Sequence, residues 1–323
     1  MKTNNYLYAI VLFSVFESCS SSDDVPTLVD EGGRKFRQLT ITQVQDMDAT
    51  RSFGDITRAL LTENEDGKTL SAFWEKDDNI TYCNISTLDQ DILSYLNTGK
   101  PFFGNLETKS SGKNSDFFGN AFCGDQDVLS FIYPVGAFSL GPNVLDKYEI
   151  SHPTVQYTID LSGQDGTLET LARKYYFGYG EANVVVQDDL ASAQVEIESL
   201  IAICRFSFFV DYDNPIPINR LSINYEFNDW IGKYPVEAKL TAYPGYHNLE
   251  PIIPDSKTVL DIRPTQNVNT IYVALLPTSS QGFKFTVIND EGTYEGKYPA
   301  ALKAGEFYPT QLKLTKISNN LHI

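Results

Sequence analysis

Apolar and polar residues alternate along most of this chain, in short runs broken by turn-forming residues. Leu39-Thr40-Ile41-Thr42-Gln43-Val44 reads as a first strand, and Asp46 to Thr50 as a polar loop. Ile56 to Thr62 and Thr69 to Trp74 read as two strands joined at Asp66-Gly67, a hairpin signal. Asn79 to Ile85 and Val128 to Pro134 are further strands, the second ending at its proline. Leu88 to Asn97 allows a short helix capped by Ser86 or Thr87, and Thr167 to Arg173 a second one capped by Thr167, with Leu168, Leu171 and Ala172 inward. Residues 108–116 are a polar loop. Val155 to Leu161 alternates cleanly, Tyr175 to Tyr179 is rich in aromatics, and Asn183 to Gln187 and Val195 to Val210 follow. The second half predicts strands over Arg220 to Phe227, Val236 to Tyr243, Thr258 to Arg263, Asn269 to Leu276, Phe283 to Asn289, Thr293 to Tyr298 and Tyr308 to Leu314.

Many short alternating runs with little helical periodicity predict an all-β chain built of antiparallel sandwiches. The polar step Asp188-Asp189 divides it into an N-terminal sandwich over 27–189 and a C-terminal sandwich over 190–323. Nineteen tyrosines, twenty phenylalanines and only two methionines agree with β-structure. A net charge of −17 argues against nucleic acid and anionic lipid surfaces as partners.

The first two dozen residues carry an export signal. Lys2 is a basic start, Tyr6 to Phe16 is apolar apart from Ser14, and Cys19 stands at the end, before Ser20-Ser21-Ser22-Asp23-Asp24. The apolar stretch is shorter than the roughly 20 residues that span a bilayer. It resembles a bacterial lipoprotein signal, with Glu17 where that pattern prefers a small or apolar residue. The expectation is a signal peptide over 1–18, acylation of Cys19, and a polar tether over 19–26. The acidic serine run resembles the tag of surface-exposed lipoproteins in Bacteroidota-type bacteria. Of the remaining Cys83, Cys123 and Cys204, at most one pair can bridge, and Cys204 sits in an apolar alternation.

Catalytic motifs are missing. His152, His247 and His322 have no metal-ligand spacing, so no metal or cofactor is expected. Gly178-Tyr179-Gly180 lacks the third glycine of a dinucleotide loop. Ala137-Phe138-Ser139-Leu140-Gly141 is one glycine short of a nucleophile elbow, and Gly141-Pro142 follows where a helix should start. The doublets Phe102-Phe103 and Phe117-Phe118 and the run Tyr175-Tyr176-Phe177 could stack on sugars, although neighbours on a strand face opposite ways.

Several segments, in order, resemble the fimbrillin family, the type V pilus subunits of Bacteroidota. Phe53 to Ala59 followed by Phe73-Trp74-Glu75-Lys76-Asp77-Asp78-Asn79-Ile80 resembles the family's opening motif, with Asp77 where glycine is usual. Ile132-Tyr133-Pro134, Gln164 to Glu169, Tyr175 to Gly180, Ile201 to Phe208, Tyr272 to Pro277 and Ala304 to Pro309 continue the match over residues 50–316. The resemblance implies two tandem transthyretin-like sandwiches, outer-membrane export as a lipoprotein, and trimming by an arginine-specific protease. Trimming would remove the first strand, and a strand from another fimbrillin subunit would fill its groove. The releasable strand here would be Leu39 to Val44, with Leu39, Ile41 and Val44 as its apolar members, and the cut would fall at Arg51 or Arg58. The reading is therefore a non-enzymatic structural or adhesive pilus subunit, tip or accessory in position, with a host protein or glycan as a further partner. The alternative is a surface lipoprotein that binds glycans without polymerising; a secreted hydrolase is the third class.

Overall fold

The computed structural model describes residues 33–43, 60–89, 102–136, 138–146, 148, 151–211, 214–227, 230–233, 235–252, 260–266 and 268–318. Among them the chain is all-β. Helix is confined to a 3-10 turn, Ile85–Asp89, and to Leu168–Thr170 with the π-turn Leu171–Tyr175 that continues it. Thr167 caps that helix through Oγ1, which accepts from Thr170 N at 3.2 Å, as its sequence position predicts. Of the helix expected over Leu88 to Asn97, Leu88 and Asp89 fall in that turn, and residues 90–97 lie outside the described residues.

The first sheet has nine strands. Their order is Val185–Gln187, Leu190–Val195, Lys35–Gln43, Asp116–Cys123, Phe103–Thr108, Asn79–Asn84, Val128–Tyr133, Gly178–Asn183 and Glu198–Ser199. Only Glu196 and Ile197 separate Leu190–Val195 from Glu198–Ser199, so the path of strands curls back on itself. It encloses a core that includes Leu39, Ile41, Trp74, Ile80, Leu106, Phe117 and Phe131.

The second sandwich faces two sheets against each other. In one, Ala202–Asp211 pairs antiparallel with Thr270–Leu275 and parallel with Phe307–Lys313. In the other, Arg220–Phe227 pairs with Thr278–Asn289, which pairs with Gly292–Leu302. Phe206 and Phe208 of the first sheet meet Phe285 of the second at ring separations of 4.9 and 5.8 Å. A further sheet joins the halves of the chain: Val155–Asp160 pairs with Glu237–Tyr243.

The Asp188-Asp189 step is a hairpin turn, with Asp188 at φ 56°, between Val185–Gln187 and Leu190–Val195. Both arms lie in the first sheet, which extends past the expected boundary at 189/190; the chain enters the second sandwich at Ala202. Two acidic residues suit a tight turn as well as a linker. Asp77 is at φ 71°, the left-handed region that glycine favours, at the position where the family resemblance expects glycine.

Loop side chains shield one strand edge. Gln164 is buried and takes the place of a neighbouring strand beside Thr270–Leu275: its Oε1 accepts from Ala274 N at 2.7 Å, and its Nε2 donates to Ala274 O at 3.0 Å. The hairpin Leu60–Glu63/Leu70–Phe73 turns at Gly67 (φ 63°) and is tied to the second sandwich by Glu63, which accepts from Arg205 and from the Tyr272 hydroxyl.

Gln164→Leu would leave the N–H and C=O of Ala274 buried without these partners. We expect a loss of about 2–6 kcal/mol of folding stability, from two unmet groups at about 1–3 kcal/mol each, read as a lower urea midpoint with unchanged slope. A variant as stable as the parent would show that the edge does not depend on Gln164.

Candidate functional site

The first strand, Lys35–Gln43, lies inside its sheet rather than at an edge. On one side it pairs antiparallel with Asp116–Cys123, from Lys35 opposite Cys123 to Thr42 opposite Asp116. On the other it runs parallel to Leu190–Val195, from Gln38 beside Leu190 to Gln43 beside Val195. Alternation decides what faces the core. Arg37, Leu39, Ile41 and Gln43 are buried, while Phe36, Gln38 and Thr42 are exposed. Leu39 and Ile41 are 0% exposed, each worth about 1.5–3 kcal/mol of apolar burial. Across from them, Leu190–Val195 sends Ala191, Ala193 and Val195 into the same core.

Polar contacts pin the strand along its length. Ahead of it, Arg34 forms a two-pronged pair with Asp127, Nε to Oδ2 and Nη2 to Oδ1, both 2.8 Å. Asp127 is buried and also accepts from Asn84 Nδ2 at 2.7 Å and Gly124 N at 2.8 Å. Lys35 pairs with Asp189 in the turn after Val185–Gln187. Arg37 donates to the carbonyls of Cys123 and Gly33. At the far end Gln43 Oε1 accepts from the indole Nε1 of Trp74, a residue only 1% exposed.

Of the residues predicted from sequence, the structure places Leu39 and Ile41 together on the inward face of this strand. Val44, Cys19, Arg51 and Arg58 lie outside the described residues. Arg34, Asp127 and the Trp74–Gln43 contact were missed. Asp127 follows Gly124-Asp125-Gln126 and reads as an ordinary turn residue; nothing local marks it as the partner of an arginine 93 positions away.

Elsewhere the surface offers little chemistry. No group of three or more His, Cys, Asp or Glu side chains among the described residues is placed to hold a metal ion. The Ser139 hydroxyl donates to the Gln156 carbonyl at 3.4 Å. Cys83, Cys123 and Cys204 are free and buried, and burial raises the pKa of all three thiols. The aromatic doublets face inward: Phe102, Phe117, Tyr175, Tyr176 and Phe177 are buried, and Phe103 and Phe118 are half-buried. Two open clefts have volumes of about 380 and 330 Å³; Glu75, Asp77, Asp78 and Arg173 line one beside Tyr133 and Val135, and Glu181, Glu196 and Glu198 line the other beside Tyr179 and His247. Outside the clefts, three rings stack in a surface column: His152 on Tyr243 at 4.5 Å and Tyr243 on Tyr246 at 4.7 Å.

No protein-family model matches the chain, and no curated relative matches it. Among solved structures it is similar to a candidate cell adhesion protein from Bacteroides uniformis, with a TM-score of 0.50 and 14% identity over 87% of this chain and 93% of that one. A candidate cell adhesion protein from Bacteroides ovatus matches at a TM-score of 0.47 and 15% identity, over 88% of this chain and 96% of that one. A fimbrial protein from Bacteroides ovatus matches at 0.40 and 10% identity, over 86% of this chain and 49% of that one. The first of these likenesses is one of fold, an all-β sandwich architecture.

Asp127→Ala would remove the two-pronged partner of the largely buried Arg34 guanidinium and the carboxylate that accepts from Asn84 and Gly124. We expect a loss of about 3–5 kcal/mol, the usual cost of breaking a buried ion pair from one side. Amide exchange over 35–43 should accelerate before global unfolding does. Unchanged protection there would show that the strand is held without this anchor.

Proposed function

We propose that this chain is a structural or adhesive subunit of a cell-surface pilus, exported as a lipoprotein on Cys19 and assembled by exchange of its first strand. One observation carries the reading: the first strand is an interior strand supplied from near the N-terminus, with ladders on both sides and two fully buried apolar residues. A cut at Arg51 or Arg58 would leave that strand attached by non-covalent contacts alone. Its departure opens a groove with unpaired N–H and C=O groups on both walls and an apolar floor, and a strand from another subunit satisfies both. The likeness to solved adhesion proteins is in keeping with a non-enzymatic surface role.

A tip or accessory position is favoured over a stalk position. Phe307–Lys313 is engaged in its own sandwich through seven residues paired with Ala202–Asp211, and Thr315–Ser318 pairs with Gly292–Leu302. That arrangement engages both of these strands in the chain's own sheets. Glycan binding without polymerisation is the second reading. Its support is the His152–Tyr243–Tyr246 column rather than the doublets, because stacked rings at the surface offer an outer face to a sugar.

Three measurements test this. In Arg51→Ala/Arg58→Ala, an arginine-specific protease should no longer release the N-terminal fragment and polymer should not form; polymer at parental yield would overturn strand exchange by this route. Cys19→Ala should lose acyl labelling and membrane retention, and unchanged labelling would end the lipoprotein reading. Deleting residues 316–323 should leave polymer length unchanged for a tip subunit, whereas its collapse would identify the tail as a donor.

A further inference from the structure

The inward row of the first strand is chemically mixed, and both of its polar members fit imperfectly. Leu39 and Ile41 fill the middle. Arg37 and Gln43 sit at the two ends, 9% and 2% exposed. Arg37 reaches two carbonyls through its Nη atoms, but its buried Nε meets no acceptor. Gln43 Oε1 is met by Trp74, but its buried Nε2 meets no acceptor either. Buried donors without acceptors are rare in native proteins and carry the full desolvation cost. Here two occur on one strand, at both ends of the groove it fills.

Trp74 is the opposite case, fixed from several sides. Its backbone exchanges two hydrogen bonds with Gly112, at 2.9 and 3.0 Å. Its ring meets Phe117 edge-on at 4.6 Å and Tyr133 at 5.3 Å. None of these contacts comes from the first strand. The indole N–H is therefore aimed at the register of Gln43 whichever strand occupies the groove.

We propose that Trp74 determines the specificity of this groove, selecting a replacement strand with a hydrogen-bond acceptor that buries no spare amide donor at the register of Gln43 and apolar side chains at the registers of Arg37, Leu39 and Ile41. The inference rests on the strand-exchange reading. The partner is thus a β-strand whose inward order is apolar, apolar, apolar, acceptor. A hydroxyl side chain offers an acceptor at the last place and no amide donor. Such a strand gives Trp74 an acceptor and removes both unmet donors. A wholly apolar strand removes them too, but leaves the indole N–H unmet in a dry core.

The test cuts the full-length protein with an arginine-specific protease, removes the protease, and then offers the cut protein three fluorescein-labelled peptides spanning residues 35–43. The first has the native sequence, the second carries Arg37→Leu and Gln43→Thr, and the third carries Arg37→Leu and Gln43→Leu. The second should be retained about tenfold more tightly than the third, the scale of one buried unmet donor, and about a hundredfold more tightly than the first, which buries two. With Trp74→Phe protein the second and third should bind alike. Equal retention of the second and third by the parent, or a preference that survives Trp74→Phe, would overturn the proposal. Exclusion of all three peptides would overturn strand exchange itself, and this selection with it. Folding in cis reads the groove separately: full-length Arg37→Leu and Gln43→Thr should each melt above the parent, and Gln43→Leu below Gln43→Thr. Reversal of either order would show that the resident strand fits its ends well, even if peptides exchange.

Discussion

The first sheet is completed by the backbone ladder of one strand. Lys35–Gln43 bonds on both edges, and without it Leu190–Val195 would keep only its short pairing with Val185–Gln187. The same strand supplies Leu39 and Ile41 to the core, where its two neighbours contribute the small side chains Ala191, Ala193 and Ala121 beside Phe117. Backbone pairing and apolar burial therefore depend on the same nine residues.

The polar contacts around the strand divide the work. Arg34 and Asp127 hold the chain just ahead of it, and the Asp127 carboxylate also organises Asn84 and the turn at Gly124. Lys35 and Arg37 act on the strand's first turn of sequence, and Trp74 holds its last residue. Its middle is apolar and closely fitted, while its ends are polar and leave buried donors unmet.

Trp74 also marks where the two cores meet. The hairpin before it sends Leu61, Leu70 and Ala72 into the core shared with the second sandwich, whereas Trp74 itself enters the first. Glu63, held by Arg205 and Tyr272, fixes that hairpin on the second-sandwich side. Burial and the Glu63 carboxylate raise the Tyr272 phenol to about 12, so this hydroxyl keeps its proton, and its bond to Glu63, well into the alkaline range. The hairpin thus stays anchored by groups that do not involve the first strand.

Local periodicity made much of this legible. Leu39 and Ile41 stand two apart, and a period of two puts them on one face in any sheet. The Asp66-Gly67 turn, the Thr167 cap and most second-half strands follow from residue types at fixed offsets. The sequence also limited the chemistry, since its histidines lack ligand spacing and its motifs are incomplete. Which strands become neighbours was not legible. Leu190–Val195 lies some 150 positions beyond the strand it runs beside, its inward residues are small, and the turn before it reads as a domain boundary. The Arg34–Asp127 pair and the Trp74–Gln43 bond were hidden for the same reason. Periodicity assigns a residue to a face, but a strand's partner depends on which edges the rest of the fold leaves unpaired, and that is settled only when the whole chain closes around its core.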